Sequence, residues 1–237
     1  MNCMWLRIRA PFAAYRGFQA GVYRSTMPIM PPSAALGLVL NLAGIEMRTG
    51  LDKPTTQIRE DIPHLQLAIG AVDGSEIEVC TLYQQLHSYP VGNSGKETLK
   101  PLTKGAKFWI VPVRRELLVG LDMIIGIQEF EGLFDRIRQG LRGELNDRRY
   151  GLPFAGDNNF LFDRIDIIDS PPLTHWYEKM EIDSAPRKRS QRLTVGIDRL
   201  DNSKTTSYLF APIASPSIEP PILAWTWSPK EPEPISA

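Results

Sequence analysis

The chain has 237 residues, 43% of them hydrophobic and 23% charged, with 27 basic side chains, 27 acidic ones and no net charge. That length allows one large domain, or one domain with a small appendage, and the composition is that of a soluble globular protein. Two cysteines exclude a disulfide framework, Cys3 and Cys80 stand in no zinc-type spacing, and no apolar run approaches the roughly 20 residues of a membrane span.

Total charge is silent about partners, but its distribution is not. Residues 1–45 hold Arg7, Arg9, Arg16 and Arg24 and no acid, so a neutral chain can still present a basic face. The same early arginines interrupt what would be a signal peptide's apolar region, which argues against secretion and makes the cytoplasm the expected compartment.

Trp5 to Ala10 alternates, with Leu6, Ile8 and Ala10 on one side and Trp5, Arg7 and Arg9 on the other. This period of two predicts a strand with one core face and one basic, aromatic face, ended by Pro11. Tyr15-Arg16 and Tyr23-Arg24 sit in a polar connection suited either to a structural role or to a contact with RNA. Pro31-Pro32-Ser33 predicts a helix start with Ser33 as N-cap; an open helix amino terminus is also a natural phosphate site. Apolar residues from Leu36 to Ala43 cover most faces of that helix, which must then lie between layers, and Gly44 suits its end.

Leu51 to Pro63 reads as a loop, His64 to Val72 as a strand, Asp73-Gly74 as a turn and Ile77 to Tyr83 as a second strand. Leu117 to Ile127 is expected to be a central strand. Phe130 to Leu141 follows as a helix with Leu133, Phe134, Ile137 and Leu141 inward and Arg136, Arg138 and Arg142 on a solvated face. Strand, helix, strand, strand, strand, helix approximates the ferredoxin-like plan, with one sheet face left free for RNA. Leu161 to Ile168 predicts a further strand, Leu193 to Ile197 and Thr205 to Pro212 a hairpin, and the tail with Trp225 and Trp227 a segment wrapping onto the body before fraying near Lys230. The expected fold is therefore α+β, an RRM-like (ferredoxin-like) domain over about 1–170 and a β-rich extension over 171–237.

Between the second and central strands the sequence changes character. From Gln84 to Arg115 it carries six Lys or Arg and one acid, interleaved with Tyr89, Phe108 and Trp109. Its Gly-, Ser-, Asn- and Lys-rich middle buries little, so it predicts a projecting hairpin or finger, and its chemistry suits single-stranded nucleic acid; a surface loop with solubilising lysines is the alternative. Gly151 and Gly156, followed by Asn158 and Asn159, permit close backbone approach to a phosphate, although no P-loop is present. His64, at the head of a strand, reads as structural, and His175 has no spaced carboxylates that would support metal binding. His87, flanked by Tyr83, Tyr89 and Lys107, is the strongest chemical candidate, able in principle to cleave RNA without metal, or simply to stack and bind phosphate. No cofactor or structural metal is expected.

Trp5-Leu6-Arg7-Ile8-Arg9-Ala10-Pro11-Phe12-Ala13, Pro31-Pro32-Ser33-Ala34-Ala35-Leu36-Gly37-Leu38 and Val113-Arg114-Arg115-Glu116-Leu117-Leu118 together resemble the Cas-five family of CRISPR-associated proteins, in the repeat-associated RNA-binding superfamily. The resemblance spans about the first 165 residues, including the Gly151 to Gly156 loop. It implies a subunit of a type I Cascade surveillance complex that grips the 5′ handle of the crRNA. Partners then include the Cascade backbone subunit and the large subunit, with target DNA nearby, transposition proteins in transposon-associated relatives, and no membrane. The finger, within about 84–112, becomes a thumb folded over the guide. Arg114, Arg115, the amino-terminal arginines and the Gly151 to Asn159 loop would line the handle groove. One branch of the family cleaves precursor RNA; His87 and Lys107 do not match its spacing, so a non-catalytic binding role in antiviral defence is expected, with metal-independent endoribonuclease as the alternative.

Overall fold

The computed structural model describes residues 2–17, 23–49, 57–90, 108–146, 149 and 151–232, without the side chains of 85–90, 108–111 and 202. In chain order its elements are β1 (Cys3–Ala13), β2 (Tyr23–Arg24), α1 (Pro32–Leu42), β3 (Arg48–Thr49), β4 (Gln57–Ile58), β5 (Leu65–Val72), β6 (Glu78–Pro90) and β7 (Phe108–Gln128). There follow α2 (Leu133–Arg142), β8 (Arg164–Ile168), β9 (Thr174–Lys179), β10 (Gln191–Gly196), β11 (Thr206–Pro212) and β12 (Thr226–Ser228). One ten-stranded sheet runs β10-β11-β9-β5-β7-β1-β8, with β12 added to β5 and with β2 and β6 added to β7. Its pairings are antiparallel except for the short parallel contact of β2 with β7. An α+β architecture is thus present.

The alternation in β1 decides which face meets the helices. Met4, Leu6, Ile8 and Ala10 are buried in the same apolar cluster as Leu36, Val39 and Leu40 of α1 and Phe134 and Ile137 of α2. Seven residues of α1 are buried, because the helix packs against α2 as well as β5, β10 and β12. That is the layered position its apolar faces require.

Several local expectations are corrected. Pro11 does not end β1: the register passes from Ala10↔Leu121 to Phe12↔Val119, skipping Pro11 and Gly120, whose φ of 71° is left-handed. The register is the same on either side, so the ladder only leaves out the one position at which proline has no N–H to give. Ser33 is not the N-cap of α1. Pro31 is, without a side-chain cap, and its carbonyl accepts from the N–H groups of Ala34 and Ala35; Pro32 at the first helical position is already set to the helical φ. The 51–63 loop contains β4, which pairs with β3, and 51–56 lie outside the described residues. The central strand is longer than 117–127, since β7 continues from Phe108 along β6. Arg136 is not merely solvated: its Nε donates to Ala43 O at 2.9 Å, answering a carbonyl that the end of α1 leaves open.

The face turned away from the helices is also not wholly open. Trp5 lies 5.9 Å from Trp176 and 6.0 Å from Trp225, ring centre to centre, over Gly126, where a Cβ would stand 2.5 Å from its ring. Ala68, Val72, Ile124, Trp176 and Ala224 complete this second apolar cluster. The hairpin expected from 193–197 and 205–212 is present as β10 and β11, and the tail does pack on the body, through Thr226↔Leu67. Strand β9, with its fully buried Trp176, was not foreseen. Among the described residues no helix is long and apolar enough to cross a membrane.

Candidate nucleic-acid interface

Where β1 ends, the chain is clasped by the loop after α2. Ala14 N donates to Ala155 O at 3.0 Å, Ala155 N to Phe160 O at 2.7 Å and Phe160 N to Asp157 O at 2.9 Å, so 154–161 closes as a tight turn. Gly156 has φ 78°, and a Cβ there would lie 2.4 Å from Ala14 O. Close backbone approach does occur at this glycine, but the backbone that approaches is the protein's own. Gly151 is open, with nothing within 4 Å of an added Cβ, and its carbonyl accepts from Asn41 Nδ2 at 3.3 Å.

The turn buries Asp157, which the sequence reading missed. Its carboxylate, 7% exposed, accepts from Arg16 at 3.1 Å, from the Asn159 N–H at 3.0 Å, from Asn159 Nδ2 at 2.8 Å and from Arg115. Burial raises the Asp157 pKa, but hydrogen bonds from Asn159 and Arg115 and the Arg115 charge outweigh it and hold the carboxyl below its ordinary value. Arg115 is only 6% exposed, and its guanidinium carbon sits 5.2 Å from the centre of the Phe160 ring. The Arg16 side chain stays 51% exposed. Two guanidinia around one carboxylate leave a local positive excess, presented to solvent by Arg16.

Neighbouring arginines are fixed by β2, which sets Tyr23 opposite Arg114 and Arg24 opposite Arg115. Glu116 holds that strand in place: it accepts from the Tyr23 hydroxyl at 2.5 Å and from Thr26 N at 3.0 Å. The hydrogen bond to Glu116 is also the main reason the Tyr23 phenol binds its proton more tightly than usual. Alternation separates the sides of the strand. Arg24 and Arg115 share one, with Leu82; Arg114 shares the other with Tyr23 and the exposed Tyr83.

Arg7 and Arg9 belong elsewhere. On the far face of the sheet Arg7 makes a forked pair with Asp122 at 2.9 and 2.6 Å, while Arg9 and Arg164 meet Asp166 at 3.3 and 2.8 Å. Their charge is largely answered from within. Ser33 lies in the first turn of α1, and Asn158 is exposed at the tip of the Asp157 turn. On the β6–β7 ladder His87 stands opposite Ile110 and Tyr89 opposite Trp109, with a register shift between His87 and Tyr89; Lys107 lies outside the described residues.

Beside the Asp157 turn opens a cleft of about 360 Å³ lined by Pro11, Phe12, Asn159, Phe160, Leu161, Phe162 and Asp163. Phe12 is 45% exposed and tilts against Phe160 with centroids 6.1 Å apart. Tyr15, next to this turn, is 2% exposed, and its hydroxyl has no partner among the described residues; burial raises its pKa strongly. Tyr15→Phe removes that unanswered hydroxyl, so the thermal midpoint should hold or rise, corresponding to a change of no more than about 1 kcal/mol. A clear fall on thermal unfolding would show that the hydroxyl has a partner.

An antiparallel sheet backed by two helices, with an arginine-rich, aromatic edge, defines an α+β protein with a surface suited to a polyanion. The family model described as "CRISPR-associated protein (Cas_Cas5)" matches residues 3–143. The chain belongs to this family, as the resemblance in its sequence implies. Among solved structures it is similar to a chain of a "CRISPR RNA-guided surveillance complex", with TM-score 0.55, 13% identity and coverage of 91% of this chain and 90% of that one. It is also similar to a "Crystal structure of Cas protein", with TM-score 0.50, 11% identity and coverage of 91% and 95%. At those identities the likeness is one of fold. No curated protein sequence matches the chain. The Asp157 turn lies beyond the segment matched by the family model.

Proposed function

We propose that this chain is a Cascade subunit that binds the 5′ handle of a crRNA and caps the guide, acting by binding rather than by cutting. The observation that carries the reading is the Asp157 cluster, which draws Arg16 and Arg115 together beside Arg24 and an aromatic cleft. Phosphates are met by exposed guanidinium groups and unstacked bases by aromatic rings. Fold arguments support it. The order β5-β7-β1-β8, with α1 following β1 and α2 following β7, supports the reading of this part as a ferredoxin-like, RRM-like domain. The long β6–β7 ladder is the stem from which a thumb would project toward the neighbouring backbone subunit.

The test is assembly with the other Cascade subunits and a crRNA, followed by affinity measurements on the 5′ end over a range of salt. Arg16→Ala with Arg24→Ala should weaken binding and lower the salt slope by about 1.4, or about 0.7 for each lost phosphate contact on a single strand. Repeat RNA incubated with the protein in EDTA should stay intact. A folded double variant with unchanged affinity and slope would remove these arginines from the interface, and cleavage in EDTA would overturn the non-catalytic role.

A further inference from the structure

Phosphate contacts position a strand but do not read it; the cleft beside the Asp157 turn has the chemistry to read. Resting on the RNA-binding function proposed above, we infer that this cleft takes one unstacked guanine base of single-stranded RNA, with Phe12 as the stacking surface and Asp163 as the group that selects it. Phe12 belongs to neither apolar cluster of the core, yet it stands exposed at the end of a strand whose other apolar residues are largely buried. Its one ring contact among the described residues is the tilted one to Phe160, which Arg115 holds from beside Asp157. One aromatic ring is thereby fixed as a support and the other is presented to the cleft. A volume of about 360 Å³ lies within the range of small-molecule sites.

The polar rim is one-sided. Asn159 commits its Nδ2 to Asp157, which leaves its carbonyl oxygen as an acceptor. Asp163 is anchored by its own N–H on Arg9 O at 2.9 Å, and its exposed carboxylate has no partner among the described residues. A rim of acceptors asks for a base with adjacent donors. Guanine offers N1–H beside its N2 amino group, which a carboxylate can accept as a pair of charge-assisted hydrogen bonds. Adenine and cytosine place a ring acceptor next to their amino group, and uracil flanks its single N–H with carbonyls. The positive excess at Arg16, which is paired to the same turn through Asp157, favours a nucleotide over an apolar side chain of a partner protein, since it can take the phosphate of the same residue.

The experiment selects from a pool of short random single-stranded RNAs on the wild-type protein and on folded Phe12→Ala, Phe12→Trp and Asp163→Asn variants. Wild type should enrich guanine at one position. Phe12→Ala should then bind the enriched RNA about ten-fold more weakly, and Phe12→Trp should bind it as wild type does. Asp163→Asn should lose the guanine preference, and replacing that guanine by inosine, which lacks the N2 amino group, should weaken binding to wild type but not to Asp163→Asn. RNA binding that shows no guanine preference, or that is unaltered by Phe12→Ala, overturns the inference and leaves the broader function standing. Loss of assembly with a neighbouring subunit in Phe12→Ala, at unchanged RNA affinity, would identify the cleft as a protein contact and overturn it too. A wild-type protein that retains no RNA at low salt defeats the RNA-binding function itself.

Discussion

Asp157→Ala is expected to destabilise the protein by about 3–5 kcal/mol, the cost of leaving a buried charge without its partner. Arg115, 6% exposed, would be left facing an apolar ring and no carboxylate. The 156–160 turn would also lose the acceptor for the Asn159 N–H and side-chain amide. Arg16→Ala removes the other guanidinium, but that side chain is half exposed and should cost no more than about 1 kcal/mol. The pH dependence has a definite sign. The Asp157 carboxyl is held below its usual pKa in the folded protein, so its contribution is complete above the unfolded value of about 3.9. It is lost as pH falls from there through the lower, folded value. The stability gap between wild type and Asp157→Asn should accordingly narrow in acid. Denaturant titrations at neutral pH and in acid measure both effects; Asp157→Ala within about 1 kcal/mol of wild type would show that the cluster is not held as described.

Gly140→Ala is the second large effect. Propensity alone predicts a gain of up to about 1 kcal/mol for alanine inside a helix. Packing reverses the sign. A Cβ on Gly140 would stand 1.7 Å from Leu42 O and 2.9 Å from Leu42 C, backbone atoms that no rotamer change can move aside. The two helices would have to part by roughly 1.6 Å to reach an ordinary carbon–oxygen separation. That shift would loosen the Arg136 hydrogen bond to Ala43 O and the apolar contacts beneath it. A loss of about 3 kcal/mol or more is expected, at the upper end of overpacking costs. Gln139→Ala, at the exposed neighbouring position, is the control and should be neutral or slightly stabilising. Gly140→Ala with a thermal midpoint at or above that of wild type would refute the close crossing.

Periodic features were legible in the sequence and relational ones were not. The alternation around Leu6 and Ile8 located β1 and its buried face, and the apolar breadth of α1 announced a layered position. Pro11 was read as a stop because proline removes a ladder donor; the strand instead leaves that position unpaired and resumes in the same register along β7, more than a hundred residues away. The Pro31-Pro32-Ser33 start was recognised, but the cap was assigned to the hydroxyl instead of the proline before it. Arg115 was named as a binding residue without its counter-ion. A lone acid between Gly156 and Asn158 looks like a solvated turn, and the available signal was the Asp-x-Asn spacing that closes an Asx turn, together with the need of an arginine in an apolar strand for a carboxylate. Trp176 escaped notice because β9 is half polar and its burial depends on Trp5 and Ala224, which come from opposite ends of the described chain.

The pairing of β12 with β5 has a consequence for synthesis. Leu67 lies opposite Thr226, so an early strand cannot complete its hydrogen bonding until that late segment has emerged from the ribosome. Contacts so distant along a polypeptide form slowly. Until they form, the indoles of Trp5 and Trp176 stay unroofed, and the nascent protein carries an adhesive surface of the kind chaperones recognise.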